Sequence, residues 1–89
     1  RMSVTVDEPL RKIMQRNLSL SEGEMSVLND ETTLEDLDGD SLDLVEVCMD
    51  AESEFGILLP DEDVEDVLTY GELKRIITKK IVETAGYSA

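Results

Sequence analysis

Between Asp40 and Gly56 the sequence spells one helix with both of its ends marked. Asp40 is a strong N-cap residue, and Gly56 is a natural left-handed stop. At about 100° per residue, Leu44, Val47, Cys48, Ala51 and Phe55 gather on one side of this helix, flanked by Asp43, Asp50 and Glu54. A stripe of that kind has to be buried against other elements. Leu42, Val45 and Met49 form a second apolar stripe, bordered by Glu46. One stripe is enough for a core. The second has two readings: a loop covers it, or it is a docking surface, because it sets apolar groups beside carboxylates.

Three more segments have helical spacing. The first starts at Asp7, read as an N-cap with Glu8 and Pro9 in the opening turn. It repeats Leu10, Ile13, Met14 and Leu18 on one face, with Arg11, Lys12 and Arg16 mainly on the other. A short segment follows the long central one. Pro60 closes the extended Ile57–Leu59 piece, Asp61 is read as a cap, and Val64, Val67 and Leu68 are expected to face inward. The last opens with Thr69-Tyr70-Gly71-Glu72, a capping box in which Thr69 and Glu72 satisfy each other's backbone donors. Its apolar face is Leu73, Ile76, Ile77 and Ile81, and Lys79 and Lys80 are placed near its end, where they would complement the helix dipole.

Between the first two helices, from about Ser19 to Gly39, runs a long loop. Ser21 and Glu24 can cap one short turn carrying Met25 and Leu28, and Leu34 and Leu37 are the expected anchors. A loop of about 20 residues is uncommon in a small domain and is often functional. No strand alternation competes. The expected fold is therefore all-α: a small four-helix bundle, three helices longer and one short, forming a single domain over residues 1–89 with its core at 7–83. Arg1 precedes Met2 and is read as an expression remnant, and the tail from Thr84 is expected to fray.

Charge narrows the function. The 89 residues hold 22 Asp and Glu against 8 Lys and Arg, for a net charge of −14. From Asn17 to Leu73 there are 19 carboxylates and no base. A nucleic-acid binder needs the opposite field, and an anionic membrane surface would repel this one. No apolar run approaches the ~20 residues of a membrane span, and no signal-peptide core is present at the N-terminus. The expectation is no nucleic acid, no membrane insertion, a monomer, and a cytoplasmic setting, in the bacterial cytosol or an organelle matrix. The single Cys has no internal disulfide partner, in keeping with a reducing compartment. There is no His, so His-based acid–base, nucleophile-activating and zinc arrangements are absent. A chain this small also has little interior to spare for a deep enzyme cleft.

Three features can carry chemistry. Asp36-x-Asp38-x-Asp40 looks like the start of a calcium loop, which needs Gly at its sixth position and a bidentate Glu at its twelfth. Ser41 and Val47 stand there instead, so no metal site is expected. Cys48 lies on the core face with no base near in sequence, which marks a structural thiol. Asp40-Ser41-Leu42-Asp43 is the third. Ser41 falls in the first turn of the central helix, at the mouth of the long loop. A phosphate on its hydroxyl would be stabilised by the free N–H groups and the dipole by about 0.3–1 kcal/mol. No base stands beside it, so Ser41 is read as a residue that another enzyme modifies, and no catalytic residue is expected.

The run Leu34-Glu35-Asp36-Leu37-Asp38-Gly39-Asp40-Ser41-Leu42-Asp43-Leu44-Val45-Glu46 resembles the signature of acyl carrier proteins. The resemblance continues through Glu52-Ser53-Glu54-Phe55-Gly56-Ile57-Leu58-Leu59-Pro60-Asp61-Glu62-Asp63 and reaches Thr69-Tyr70-Gly71-Glu72-Leu73. Asp-Ser-Leu alone is weak, but the whole run at this spacing is specific.

The resemblance implies a carrier and not a catalyst. Ser41 would hold 4′-phosphopantetheine through a phosphodiester, with Asp40 and Leu42 beside it. A phosphopantetheinyl transferase would install the arm from coenzyme A with magnesium, and the arm's thiol would carry acyl groups as thioesters. Acyl-loading and acyl-processing enzymes with basic docking patches would be the partners. Leu42, Val45 and Met49 would supply apolar contact to them, and Asp40, Asp43, Glu46 and Glu52 the charge. Cys48, Ala51, Phe55, Leu59, Val64 and Leu68 would line a pocket for the acyl chain.

The sequence departs from the family pattern at four places. Asp38 precedes Gly39 where the family commonly has Leu-Gly-x-Asp-Ser. Ser53 replaces a frequent acid, Leu58 stands where an acid is common, and Asp50 and Ala51 replace a small and a larger apolar residue. These departures bear on cargo and partners and leave the attachment serine intact. An aminoacyl or peptidyl carrier of a nonribosomal pathway and an acidic interaction module without a prosthetic group are the alternatives. Asp38-Gly39-Asp40 leans toward acyl cargo, in fatty-acid synthesis or a specialised acyl or polyketide pathway.

Overall fold

The computed structural model describes residues 5–84. Arg1, Met2 and the tail beyond Thr84 lie outside them. The order of elements is α1 (Asp7–Leu18), α2 (Glu22–Val27), a 3₁₀ turn (Glu35–Leu37), α3 (Ser41–Phe55), α4 (Asp61–Val64) and α5 (Tyr70–Thr84). The all-helical expectation holds. The region expected as a long loop contains α2, and the Ser21–Glu24 capping box forms as read: Ser21 N–H donates to Glu24 Oε1 at 2.8 Å and Glu24 N–H to Ser21 Oγ at 3.1 Å.

The core is built from the expected faces. Leu10, Ile13 and Met14 of α1, Val47, Cys48 and Ala51 of α3, and Leu73 and Ile77 of α5 are buried. Leu18, Leu44, Phe55, Ile76 and Ile81 pack against them from partly buried positions. In the connection between α1 and α3, Leu37 is an anchor as expected, joined by Leu20 and Leu28. Leu34 is only half-buried.

The connection is also fastened to the start of α5. Tyr70 N–H donates to Thr32 O at 2.8 Å and Gly71 N–H to Asp30 O at 2.9 Å. Two donors that an isolated helix start would leave without partners are thus taken by loop carbonyls. A side chain at Gly71 would place its Cβ 2.8 Å from Asp30 O, so the close approach requires glycine. The Thr69–Glu72 capping box forms as expected, with Thr69 N–H donating to Glu72 Oε1 and Glu72 N–H to Thr69 Oγ1, both at 3.1 Å.

Four sequence expectations are corrected. Asp7 is not a cap: Val6 holds that position, and the Asp7 carboxylate instead takes Arg11 Nε at 2.9 Å and Tyr70 Oη at 2.8 Å. Asp61 is the first residue of α4, and Pro60 stands at its cap without a side-chain bond. Leu68 does not face inward; it is 69% exposed, because α4 ends at Val64 and the chain leaves helical periodicity before reaching it. Lys79 and Lys80 are not in the last turn of α5, which continues to Thr84. Lys80 reaches across to Asp63 of α4 at 2.7 Å.

Candidate functional site

The start of α3 is held from both sides. Asp43 N–H donates to Asp40 Oδ1 at 3.1 Å, and Asp40 N–H donates to Asp43 Oδ2 at 2.9 Å. This reciprocal box uses Asp in the role more often filled by Glu. Asp40 and Asp43, expected as cofactor and docking groups, therefore also fix the helix start. Ser41 is the first helical residue and is exposed.

The turn that delivers the chain to Ser41 is closely packed. Asp38 takes the left-handed conformation at φ 57°. This is the position where the family pattern commonly has glycine, the residue for which that conformation is cheapest. Gly39 is closely packed: a Cβ there would meet Leu18 Cδ2 at 2.6 Å and Leu34 Cδ1 at 2.8 Å, so those two side chains would have to shift. Asp36 is engaged with Thr33, whose N–H donates to Asp36 Oδ2 at 3.0 Å. That backbone bond and the one to the Thr33 hydroxyl hold its carboxyl below its ordinary range. Among the described residues no group of three or more Asp, Glu, Cys or His side chains is placed to hold a metal ion.

The second stripe of α3 is open. Leu42, Val45 and Met49 are 64%, 47% and 62% exposed, which overturns the reading in which the loop covers them. Leu20, Leu28 and Leu37 of the loop are buried in the core instead. Glu46 is exposed beside the stripe, and Glu52 is half-buried. The Glu52 carboxylate accepts the Leu59 N–H at 2.7 Å, so it holds the segment between α3 and α4 against α3.

A cavity of about 430 Å³ opens between α3 and α4, with Ser41 in its wall. Cys48, Leu59 and Val64 line it, as the sequence reading anticipated. Ala51, Phe55 and Leu68 do not. Ala51 lies further round α3 toward Val47 and is wholly buried. Phe55 is in the last turn of α3, beyond Glu52. Leu68 lines a separate void of about 30 Å³ with Leu34, Leu44 and Val67. Sequence reasoning missed Leu44 and Val45 as lining, and also Met49, Glu52, Asp61 and Glu65. The helical wheel of α3 could have supplied the first two, which lie on either side of Cys48. The Cys48 thiol is pushed up to about 11, by burial first and then by the charges of Glu52 and Asp61. It is a structural thiol at neutral pH. A larger cleft of about 620 Å³ lies between Thr5–Asp7 and Gly71–Lys79, and neither Ser41 nor any other residue of α3 lines it.

This geometry suits a covalently attached phosphate ester. Ser41 offers an exposed hydroxyl, a helix start behind it and an apolar cavity beside it. The family described as "Phosphopantetheine attachment site" matches residues 8–77. An acyl carrier protein of Thermotoga maritima is 38% identical over 72 residues, covering 81% of this chain and 86% of its own length. One of Petrotoga mobilis is 35% identical over 74 residues, 83% of this chain and 85% of the relative. One of Clostridium perfringens is 38% identical over 72 residues, 81% of this chain and 92% of the relative. The chain belongs to the phosphopantetheine-attachment family, within the acyl carrier proteins. Its prosthetic group is 4′-phosphopantetheine.

Proposed function

We propose that this protein carries acyl groups as thioesters on a phosphopantetheine arm joined to Ser41, and presents them to the enzymes of fatty-acid or specialised acyl and polyketide synthesis. The observation that carries the reading is the position of Ser41, exposed at the start of a 15-residue helix and in the wall of an apolar cavity. The arm supplies the thiol. The chain supplies its attachment point, a shelter for the acyl group along Leu44, Cys48, Leu59 and Val64, and a surface for partners.

At the start of α3 the N–H groups of Asp43 and Leu44 are bonded to Asp40. Those of Ser41 and Leu42 remain to face a phosphodiester. In the attachment reaction Ser41 Oγ bonds to the pantetheine phosphorus of coenzyme A. The pyrophosphate P–O bond breaks, 3′,5′-ADP leaves, and the serine proton passes to the phosphopantetheinyl transferase. The protein acts as a carrier, and the catalytic groups belong to its partners.

The docking surface we assign is Leu42, Val45 and Met49 with Asp40, Asp43, Glu46 and Glu52 around them. An exposed apolar stripe inside a negative field fits enzymes with Arg and Lys patches. Long-range attraction speeds such encounters, and a small contact lets them dissociate quickly. In this reading the protein works as a monomer in the cytoplasm, a setting supported by its similarity to bacterial acyl carrier proteins.

The test is direct. With coenzyme A and a promiscuous phosphopantetheinyl transferase, the intact mass should rise by one phosphopantetheine. Ser41→Ala should show no adduct. An unmodified wild type, or an adduct that survives on Ser41→Ala, refutes the assignment.

A further inference from the structure

The cavity beside Ser41 has an apolar floor and a charged rim of one sign. Leu44, Val45, Cys48, Met49, Leu59 and Val64 supply the apolar surface. The charged groups in its lining are Glu52 from α3, Asp61 from α4 and Glu65 just after α4, and no Lys or Arg lines it. None of the three carboxylates is in an ion pair among the described residues. Glu52 cannot swing away freely, because its Oε2 is held by the Leu59 N–H at 2.7 Å. It is a fixed negative charge on the inner side of the wall.

We infer that Glu52, with Asp61 and Glu65, sorts the cargo of this carrier by charge, admitting neutral acyl chains to the cavity and keeping acyl groups with a terminal carboxylate outside it. The inference rests on the attachment of the arm to Ser41. Two physical effects act in the same direction. A carboxylate entering an apolar cavity loses its water, and here it would also meet like charges at short range in a region of reduced dielectric. At Cys48 on the cavity wall burial is the main effect against the thiolate, and Glu52 and Asp61 add to it. A neutral chain meets neither penalty and buries its methylenes. A sheltered neutral thioester and an exposed carboxylated one would then reach partner enzymes in different states.

Hexanoyl and adipoyl groups test this, because they have the same carbon chain and differ by one terminal carboxylate. Each is loaded from its coenzyme A thioester with a promiscuous phosphopantetheinyl transferase, and intact mass confirms the adduct on Ser41. Hexanoyl should shift the amide resonances of Cys48, Leu59 and Val64 and raise the melting temperature by about 5 °C relative to the unacylated arm. Adipoyl should leave both unchanged in wild type. In Glu52→Gln/Asp61→Asn, where Gln can still accept the Leu59 N–H, adipoyl should shift the same resonances in the direction hexanoyl does, by a smaller amount because the desolvation cost and Glu65 remain. Asp61→Asn/Glu65→Gln, confined to exposed positions of and beside α4, should give a partial response and keeps the test readable should Glu52→Gln disturb the Leu59 segment.

Absence of any mass adduct would refute the attachment at Ser41, and this inference with it. With the adducts in place, adipoyl shifts in wild type equal to those of hexanoyl would overturn the sorting. So would a cavity that responds to neither chain. Exclusion of adipoyl that persists in both double variants would assign the effect to desolvation alone and overturn the role of the carboxylates.

Discussion

Two sides of this small molecule use charge in opposite ways. On the seam where α1, the long connection and α5 meet, charges are paired and directional. Asp7 binds Arg11 and Tyr70, and Lys74 bridges Asp7 at 3.2 Å and Asp30 at 2.7 Å. Arg11 also donates to the Met25 and Leu28 carbonyls at 3.2 and 2.7 Å, closing the C-terminal end of α2. Around Ser41 the carboxylates of Asp40, Asp43, Glu46, Glu52, Asp61 and Glu65 form no ion pair among the described residues. Arg11 and Lys74 fasten the seam, Arg16 and Lys80 pair with Asp50 and Asp63, and the carboxylates around Ser41 are left uncompensated. Self-repulsion is the cost of such a field, and under the docking proposed above it would attract basic partner surfaces.

The sharpest test of that division is Ser41→Ala. It should abolish phosphopantetheine attachment completely while changing stability by less than about 0.5 kcal/mol, since the side chain is exposed. A large fall in melting temperature would show that the two sides are not separable. On the fastened side, Gly71→Ala should cost about 2 kcal/mol in a denaturant titration, because the new Cβ would press on the Asp30 backbone. Attachment at Ser41 should survive it.

Val45→Asp and Glu46→Lys act on the open side alone. Each should slow turnover of the acylated protein by a partner enzyme by roughly tenfold, about 1.4 kcal/mol, with an unchanged melt and unchanged attachment. Normal turnover in both would remove the docking assignment.

Acid should loosen the fastened side first. Burial raises the Asp7 pKa, but hydrogen bonds from Tyr70, Arg11 and Lys74 outweigh it and leave the value lowered. A carboxylate lowered in the folded state adds stability above its unfolded value, near 3.8, and loses that contribution as pH falls through the folded value. Asp7→Asn should therefore cost about 1 kcal/mol at neutral pH and almost nothing at a pH below both values. A cost that does not shrink on acidification would contradict the ion-pair seam. The smallest effect expected is a gain. Asp38→Gly should stabilise the protein by about 0.5 kcal/mol, because glycine adopts φ 57° without strain.

The parts that were legible in the sequence are those governed by neighbours along the chain. The bounds of α3, its Gly56 stop, and the capping boxes at Ser21–Glu24 and Thr69–Glu72 are local hydrogen-bond problems, and three or four residues settle each one. The exposed place of Ser41 follows from its position just after such a cap. Asp7 misled for the same reason. Its neighbours resemble a cap, but its partners Tyr70 and Lys74 lie more than sixty residues away in the chain.

The apolar periodicity of α3 determined that it has two stripes. Only tertiary packing decided which was left open, because the loop leucines could have covered either face and Leu20, Leu28 and Leu37 went into the core. Packing likewise decided that Leu68 is exposed, that Gly71 is required for space, and that Glu52 faces Asp61 and Glu65 across an apolar cavity. None of these follows from spacing, since each depends on how closely two distant segments approach. Sequence alone therefore determined the kind of helix that presents Ser41. The approach of α4 to α3 decided what an acyl group leaving Ser41 would meet, because the charge and shape of a cavity belong to the space between elements.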